Sequence, residues 1–545
     1  MSQVKSSDRN RWSLIAFVLM IGFISLVQPG CNCGSSSGTA VPAPVASVFP
    51  TQGSDNALTG TIVAAYFGID MNENSIDDSS FTLTEVGGAQ QAATVSYDPL
   101  SRTAILDPVT DLVSGTEYRA TVSSTVEDAA GNMPLASDYV WSFTVSQATE
   151  LVSKDINGVV GNDISAKSAI DGTGRYVVFE SEATNLVTVA TTFNRNHIYR
   201  KDTLTGEVLL ASSDTAGLEA NNNSSSPRVS DDGRYVVFES TSTNLDIIAS
   251  GGFSQIYIKD MTDGSIVMIS RNSTQTAGNG NSNNPDISAD GKFVVFDSNA
   301  TNLGGSGFRH VYLVDTSDPD TVELISVNSS EVSGNGNSSD PSVSDDGQRI
   351  TFVSSANNLD TDSNNLNDVF LRDRNSSGTT VLISMNSTST NSANDSSNNP
   401  DISGDGQYVV FESPATDIDG GVAGRIDIFL SDTVNPATRV TVTTGGNAND
   451  DSENPSISYD GRYIAFESQA TNLDGGVVNK FNIFVSDESA IDDIRRVSLT
   501  SDDNSNNARI SPDGRYVSFD SPYGFTLDDT NNGLVDTYRV INSTF

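Results

Sequence analysis

The stretch Ser511-Pro512-Asp513-Gly514-Arg515-Tyr516-Val517-Ser518-Phe519 recurs in related form along this chain of 545 residues. Six earlier copies, each ending in phenylalanine, lie at residues 169–179, 230–238, 288–296, 344–352, 403–411 and 458–466. The turn glycines of successive copies are 53 to 59 residues apart, and such a regular period is the signature of repeat architectures. The sequence therefore predicts one structural unit built seven times.

Each repeat is predicted to form four strands. The Asp-Gly pair in each copy favours a tight hairpin, because glycine tolerates the positive φ that such turns require. In the fourth repeat the predicted strands are residues 341–344, 349–354, 368–373 and 380–384. Runs such as Tyr235-Val236-Val237-Phe238 do not alternate between polar and apolar residues. Both faces of these strands are therefore buried, as in a propeller blade that lies between two neighbouring blades.

These repeats resemble the WD40-like propeller repeats of the TolB type, and the resemblance spans residues 149–545. It implies a seven-bladed β-propeller. The chain lacks the N-terminal α/β domain that TolB carries, so the partners of TolB are not inferred for it. Propellers of this type also occur in lyases and attached to peptidases, so the resemblance leaves an enzymatic function open.

The closure of the propeller is predicted from a surplus strand. An outer-strand pattern related to Val-x-Leu-Ile-Ser follows the first six repeats, at Val208, Val267, Val322, Val381, Val440 and Val497. The seventh repeat has none, whereas residues 149–153, just before the first repeat, carry Thr-Glu-Leu-Val-Ser. We predict that this segment completes the seventh blade and so removes an exposed sheet edge.

Residues 45–146 are predicted to form a separate all-β sandwich. Its predicted strands are residues 61–67, 80–84, 93–97, 103–106, 117–123 and 139–145. The segment resembles the bacterial Ig-like domain of the surface-layer type at Phe67, Tyr97-Asp98, Asp128-Ala129-Ala130-Gly131-Asn132 and Trp141-Ser142-Phe143. The resemblance implies a spacer or adhesion module, and the predicted fold class of the whole chain is all-β.

Residues 1–30 are predicted to be an export signal peptide. A basic start precedes an apolar run at residues 14–27, which is shorter than the roughly 20 residues of a membrane-spanning helix. Gln28-Pro29-Gly30-Cys31 resembles the cleavage box of bacterial lipoproteins, although Gln28 replaces the usual leucine. This predicts lipidation at Cys31, a flexible tether over residues 31–44, and an outer-membrane, cell-surface or periplasmic location.

The charge of the chain limits its partners. Seventy acidic and 29 basic side chains give a formal net charge of -41, which disfavours nucleic acid and anionic membrane surfaces and favours cations. Contact with a membrane is therefore expected only through the lipid anchor. The two cysteines, Cys31 and Cys33, lie before the folded domains, so a disulfide framework is excluded.

Two loops after second strands predict calcium sites. In the fourth repeat the predicted ligands are Asp360, Asp362, Asn364, Asp368 and the backbone carbonyl of Leu366, and in the seventh they are Asp528, Thr530, Asn532, Asp536 and the carbonyl of Leu534. Calcium favours six to eight oxygen ligands from such a winding loop. The alternative is a set of polar turns, since the fifth and sixth repeats keep the loop length without the ligands.

The predicted function is that of a non-catalytic cell-envelope scaffold, in which the Ig-like domain presents the propeller to protein or polysaccharide partners. Loops rich in Asn, Ser and Asp join the blades and either satisfy turn backbones or bind glycans and ions. The alternative is a carbohydrate-active enzyme, a lyase or glycosidase, that uses propeller carboxylates. Glu180, Glu239, Glu412 and Glu467 recur at equivalent positions, and nothing in the sequence singles one out.

Overall fold

The computed structural model describes residues 45–542 except for 55–56, 58–60, 100–101, 111, 114–115, 146–148, 189–194, 362–363, 376–377, 434, 436, 444–445, 475, 490–492, 499–502, 523 and 525–532. The predicted signal peptide, the tether and Cys31 lie outside the described residues and stay predictions. The chain divides into two compact units, Met1–Ala148 and Thr149–Phe545, which are described separately.

The first unit is a sandwich of two antiparallel sheets. Its strands are β1 (Val45–Phe49), β2 (Val63–Phe67), β3 (Phe81–Glu85), β4 (Ala93–Asp98), β5 (Thr103–Pro108), β6 (Glu117–Val122) and β7 (Tyr139–Thr144), with a single 3-10 turn at Glu73–Ser75. One sheet has the order β1-β2-β5-β4 and the other β3-β6-β7. Trp141, Phe81 and Tyr118 are almost fully buried in its core. The six strands expected from the sequence are present, and β1 is additional.

The second unit repeats one antiparallel sheet. Its strands before the fifth sheet are β8 (Thr149–Leu151), β9 (Ser165–Ile170), β10 (Tyr176–Ser181), β11 (His197–Asp202), β12 (Val208–Leu210), β13 (Ser224–Val229), β14 (Tyr235–Ser240), β15 (Gln255–Asp260), β16 (Ile266–Met268), β17 (Ser282–Ile287), β18 (Phe293–Ser298), β19 (His310–Asp315), β20 (Val322–Leu324), β21 (Ser338–Val343), β22 (Arg349–Ser354), β23 (Asp368–Asp373) and β24 (Thr379–Leu382). The remaining strands are β25 (Asn398–Ile402), β26 (Val409–Ser413), β27 (Asp427–Ser431), β28 (Thr438–Arg439), β29 (Val442–Thr443), β30 (Gly446–Asn447), β31 (Ser452–Ile457), β32 (Tyr463–Ser468), β33 (Asn482–Asp487), β34 (Ile494–Arg496), β35 (Asn506–Ile510), β36 (Tyr516–Ser521) and β37 (Asp536–Ile541).

Within the described residues these strands form seven four-stranded sheets and one small hairpin, β29-β30. In chain order, sheets 1 to 6 consist of β9–β12, β13–β16, β17–β20, β21–β24, β25–β28 and β31–β34. Sheet 7 has the order β35-β36-β37-β8, with Leu151 opposite Tyr538. Its fourth strand therefore comes from the start of the unit.

One aromatic pair forms the centre of each sheet. The phenylalanine that ends the repeat motif stacks on the aromatic ring in the middle of the third strand, with ring centroids 5.7 to 6.0 Å apart. The pairs are Phe179–Tyr199, Phe238–Tyr257, Phe296–Tyr312, Phe352–Phe370, Phe411–Phe429, Phe466–Phe484 and Phe519–Tyr538. Burial of both faces, expected from the non-alternating runs, is confirmed because Val236, Val237 and Phe238 are all fully buried.

A second aromatic contact joins each sheet to the next. The hairpin glycine of one sheet lies against the residue at the start of the second strand of the preceding sheet, or just before it in sheet 5, so closely that an added Cβ would overlap the aromatic ring. These pairs are Gly233–Tyr176, Gly291–Tyr235, Gly347–Phe293, Gly461–Tyr408, Gly514–Tyr463 and Gly174–Tyr516. The last pair joins sheet 7 to sheet 1. In sheet 4 the aromatic residue is replaced by Arg349, which lies against Gly406.

Candidate functional site

The first strands of the sheets are edge strands, and their unpaired backbone groups must find partners elsewhere. Three positions of these strands and the turns after them recur from sheet to sheet, and we name them as rows. The bulge row is Lys167, Ser226, Asn284, Asp340, Asn399, Asn454 and Asn507; the middle row is Ala169, Arg228, Asp286, Ser342, Asp401, Ser456 and Arg509; the hairpin row is Gly172, Asp231, Ala289, Asp345, Gly404, Tyr459 and Pro512. Their polar groups form the candidate site.

The bulge row joins neighbouring sheets through carboxylates. All its residues have left-handed backbones, with φ between 48° and 56°, a conformation that Asn and Asp tolerate better than most residues. The backbone N–H of Asn507 donates to Glu467 Oε1 at 2.7 Å, and that of Lys167 donates to Asp520 Oδ2 at 2.5 Å. The equivalent bonds run from Ser226 to Glu180 and from Asn454 to Glu412. The acids at the ends of second strands are thus hydrogen-bond acceptors for the next sheet.

Asparagine side chains extend this network. Asn399 Nδ2 donates to Glu412 Oε1 at 2.9 Å and to Asn454 Oδ1 at 3.0 Å, and Asn454 Nδ2 donates to Glu467 Oε1 at 3.1 Å. Burial raises the pKa of Glu467 to about 7 and that of Asp520 to about 8, even though the hydrogen bonds to both carboxylates oppose the rise. These buried acids therefore favour the protonated form near neutral pH.

The raised pKa values predict that stability falls as pH rises. In the unfolded chain these acids ionise near pH 4, whereas Glu467 in the folded protein keeps its proton to about pH 7. Between these values the unfolded state releases protons that the folded state retains, so each group removes up to about 1.4 kcal/mol per pH unit. Melting temperatures should therefore fall from pH 5 to pH 8.

Glu467→Gln separates this effect from the general repulsion of an acidic chain. Glutamine keeps the acceptor oxygen for Asn454 and Asn507 but does not titrate, so its melting curve should depend less steeply on pH than that of the wild type. Glu207→Gln, at an exposed position in the turn between β11 and β12, is the control and should keep the wild-type slope. Equal slopes in all three proteins would contradict the assignment.

The middle row bonds its acids and serines in the same way. Asp286 Oδ2 accepts the Val343 N–H at 2.9 Å, and Asp401 Oδ2 accepts the Ile457 N–H at 3.1 Å. Ser342 Oγ donates to Asp401 Oδ1 at 2.8 Å. Each of these side chains therefore reaches the following sheet. The two aspartates accept a backbone N–H of its edge strand, and the serine donates to the next residue of the middle row.

The two arginines of the middle row differ from its other members. Arg228 Nη1 donates to the carbonyl of Pro227 at 3.0 Å, and its Nε lies 3.7 Å from Asp286 Oδ1. Burial and the positive charge of Arg509 lower the pKa of Arg228 to about 10. The positive charge of Arg509 opposes the rise in the pKa of Glu467, which lies in the preceding sheet.

The hairpin row combines carboxylates with an exposed ring. Backbone bonds run from Gly172 to Asp231 and from Tyr459 to Pro512, at 3.2 and 2.8 Å. Burial and neighbouring acids raise the pKa of Asp231 to about 6 and that of Asp345 to about 7. Tyr459 is 48% exposed, and its ring lies beside Asp345 over Gly404. This row offers acids and an aromatic face together.

The residues predicted to bind calcium are only partly described. Asp360 Oδ2 accepts the Leu382 N–H at 2.9 Å, and Asn364 Oδ1 accepts the Leu366 N–H at 2.7 Å. Asp362, Asp528, Thr530 and Asn532 lie outside the described residues, and Leu534 is partly buried. The part of the chain that the structure describes contains no cluster of three or more His, Cys, Asp or Glu suited to a metal. Calcium binding stays a prediction.

Asp368 and Asp536 share a structural role with other first residues of third strands. Asp368 Oδ1 accepts the Ser384 hydroxyl at 2.7 Å, and Asp536 Oδ1 accepts the Ser153 hydroxyl at 2.7 Å. His310 Nδ1 and Ser326 Oγ are 2.9 Å apart, and Gln255 Oε1 accepts the Ser270 hydroxyl at 2.6 Å. The recurring serine or threonine after each fourth strand was the available signal for this pairing, which sequence reasoning missed.

The loops rich in asparagine satisfy their own turns. The backbone N–H of Asn279 donates to Asn302 Oδ1 at 2.9 Å, and its side chain donates to Thr301 Oγ1 at 3.0 Å. The same pairing joins Asn162 to Asn185, Asn221 to Asn244, Asn335 to Asn358, Asn394 to Asp417 and Asn449 to Asn472. These contacts support the interpretation of the first asparagine of each loop as a turn residue.

The repeated four-stranded sheets, each contacting the next through its hairpin glycine, define a β-propeller. Residues 39–145 match the family described as bacterial Ig-like domain, which confirms the Ig-like domain expected from the sequence. Comparison with curated protein sequences finds no match. In the described residues no helix has the length and apolar character of a membrane span.

Solved structures to which the chain is similar include a TolB, a lyase and the propeller domain of a protease. TolB from Acinetobacter baumannii has 12% identity, with 85% of this chain and 80% of that chain covered and a TM-score of 0.35. Oligogalacturonate lyase in complex with manganese has 12% identity, with 70% and 92% covered and a TM-score of 0.44. The propeller domain of the Trilobed protease from Pyrococcus furiosus has 12% identity, with 66% and 89% covered and a TM-score of 0.40.

Proposed function

We propose that the protein is a non-catalytic binding scaffold of the bacterial cell envelope, in which the Ig-like unit is a spacer and the propeller binds a protein or polysaccharide partner. The observation that carries the proposal is the use of the recurring acids. Glu180, Glu412 and Glu467 each accept a backbone N–H from the next sheet. These carboxylates therefore join neighbouring sheets.

This use of the acids disfavours the enzymatic alternative at the bulge row. A glycosidase needs a pair of carboxyl groups that flank the scissile bond, of which one is protonated and the other is ionised and free of other partners. The hairpin row is the better place for that alternative, because Asp231 and Asp345 have raised pKa values beside the exposed Tyr459. A carbohydrate-active enzyme is therefore kept as the second candidate function.

The proposal includes a propeller of seven blades closed by β8. Its support is the contact of Tyr516 in sheet 7 with Gly174 in sheet 1, the bond from the Lys167 N–H to Asp520, and the pairing of β8 with β37. An exported, lipid-anchored location is also part of the proposal, supported by the lipoprotein-like box at Cys31 and the bacterial Ig-like domain.

Binding to a glycan array, measured with calcium and with chelator, tests the proposal. We expect the purified chain to retain glycans without shortening them, and calcium to raise its melting temperature if the loops at Asp360 and Asp536 bind the ion. Shortened or unsaturated glycan products that disappear in Asp231→Asn and Asp345→Asn variants would establish the enzyme instead. If calcium does not change the melting temperature, the predicted calcium sites are wrong.

A further inference from the structure

Tyr459 is the one aromatic residue of the hairpin row, whose other members are glycine, aspartate, alanine and proline. Its side chain is 48% exposed, the largest exposed fraction of any aromatic side chain in the described part of the chain. Its backbone is held on both sides, because its N–H donates to the Pro512 carbonyl at 2.8 Å and its carbonyl accepts the Asp405 N–H at 3.0 Å. The ring is therefore exposed on a turn that is fixed to both neighbouring sheets.

Gly404 leaves room for this ring beside a carboxylate. A Cβ added at Gly404 would lie 2.4 Å from Tyr459 Cδ2 and 2.7 Å from each carboxylate oxygen of Asp345. The backbone of Gly404 is not left-handed, so the turn itself does not require glycine at this position. The missing side chain instead makes space for the ring from sheet 6 and the carboxylate from sheet 4, which meet over the turn of sheet 5.

The carboxyl group of Asp345 is available to a ligand. Among the residues that the structure describes, its oxygens have no hydrogen bond or ion pair, whereas Asp286 and Asp401 of the middle row each accept a backbone N–H of the next sheet. Burial and neighbouring acids raise the pKa of Asp345 to about 7. At neutral pH this carboxyl group is therefore protonated in about half of the molecules, and it can donate as well as accept a hydrogen bond.

A polar cleft begins at the same turns. Asp346 and Asp405 line it, and they directly follow Asp345 and Gly404 in the chain. Asn375 and Gln407 add amide groups to its wall. A ligand longer than one sugar unit therefore has polar surface beside the turns that hold the ring and the carboxyl group.

We propose that Tyr459 and Asp345 form a subsite for one neutral hexopyranose unit of a polysaccharide. A hexopyranose with equatorial hydroxyls has a flat face of C–H groups, which packs on an exposed aromatic ring, and the hydroxyls at its edge hydrogen-bond a carboxyl group. Apolar rings with a few placed polar groups are the usual lining of small-molecule sites. The acids Asp346 and Asp405 disfavour an anionic sugar, and a half-protonated carboxyl group suits a neutral hydroxyl better than an ammonium ion.

This subsite deepens the proposed function and rests on it for the polymeric nature of the ligand. It selects a polysaccharide over a protein as the partner at the hairpin turns of sheets 4 to 6. It also gives these turns a binding role that requires no bond cleavage, since one aromatic ring and one carboxyl group hold a sugar unit without a second acid to act on it.

Isothermal titration of the full chain at pH 7 with cellohexaose and with N-acetylchitohexaose tests the subsite. At least one of these neutral oligomers should bind, and Tyr459→Ala should weaken binding about tenfold or more because the ring face is lost. Tyr459→Phe keeps the ring face and should bind as wild type. Asp345→Ala keeps the ring but removes the carboxyl group, and should also weaken binding. Phe308→Ala, whose ring is 45% exposed elsewhere in the propeller, is the matched control and should bind as wild type.

Two results would overturn the subsite: no binding of either oligomer to wild type, or unchanged binding in Tyr459→Ala. Tyr459-dependent binding of poly-L-lysine, with no binding of either oligomer, would overturn its assignment to sugars. Equal melting temperatures of wild type and Tyr459→Ala show that a loss of binding does not come from unfolding. Retention of polysaccharides that survives in Tyr459→Ala supports the proposed function and counts against the subsite. Tyr459-dependent binding of an oligomer without retention of any polysaccharide supports the subsite and counts against the polymeric partner.

Discussion

Gly233→Ala is expected to destabilise the propeller by about 3 to 5 kcal/mol, from left-handed strain and overpacking together. The backbone of Gly233 has φ of +70°, and an added Cβ would overlap the ring of Tyr176. The guanidinium group of Arg200 also packs on the Tyr176 ring, with its central carbon 4.4 Å from the ring centroid. The ring therefore has little freedom to move away. Urea denaturation measures the loss.

Gly406→Ala is the matched control. Its φ is +71°, but the added Cβ would meet the Cδ atom of Arg349 at 3.1 Å, and a flexible arginine can yield. We expect about 1 to 2 kcal/mol of left-handed strain alone. If both variants lose the same stability, the aromatic contact has no energetic role and only the turn conformation matters.

Deletion of residues 149–155 is expected to abolish cooperative unfolding of the propeller. The deletion removes β8, including the buried Leu151, together with Val152, whose side chain is also buried. It also removes the Glu150–Arg539 ion pair and leaves Asp536, buried in sheet 7, without the Ser153 hydroxyl. Sheet 7 would then expose an unpaired edge. Calorimetry of the full chain and of the deletion variant measures the change.

A smaller substitution provides the control for this deletion. Ser153 and Ser384 make the same 2.7 Å bond, to Asp536 and Asp368. If β8 is an ordinary fourth strand, Ser153→Ala and Ser384→Ala should each cost about 1 to 3 kcal/mol. A negligible cost for Ser153→Ala alone, or an unchanged melting temperature in the deletion variant, would argue against a closing role for β8.

The local parts of the fold were predictable because their signals are contiguous. The turn from Ser511 to Tyr516 is encoded by adjacent residues, since Ser511 Oγ donates to Asp513 Oδ1 at 2.6 Å and accepts the Tyr516 N–H at 3.0 Å. The strand β1 was missed. Val45 is its one buried residue, so it has no apolar alternation to detect.

The candidate site was not predictable because its contacts cross between sheets. Glu467 was recognised only as a recurring position, whereas its partner, Asn507, is 40 residues away. Nor does a sequence pattern show that Ser342 donates a hydrogen bond to Asp401, because that relation needs the order of the sheets. Turn glycines likewise predict a hairpin, but they do not predict that a tyrosine ring of another repeat packs against the turn.

The replacement of an aromatic ring by Arg349 gives the propeller a seam. At the junction of sheets 4 and 5, Arg349 lies against Gly406, and Val353 stands where other second strands end in an acid. A cleft of about 490 Å³, lined by Asp346, Arg349 and Asp405, opens at the same place. The aromatic contact is replaced at this junction by a hydrogen bond from Arg349 Nη1 to the Gly406 carbonyl at 2.8 Å, and the carboxylate is absent. A propeller stretched mechanically, or cut to make split halves for complementation, should come apart between Arg349 and Gly406.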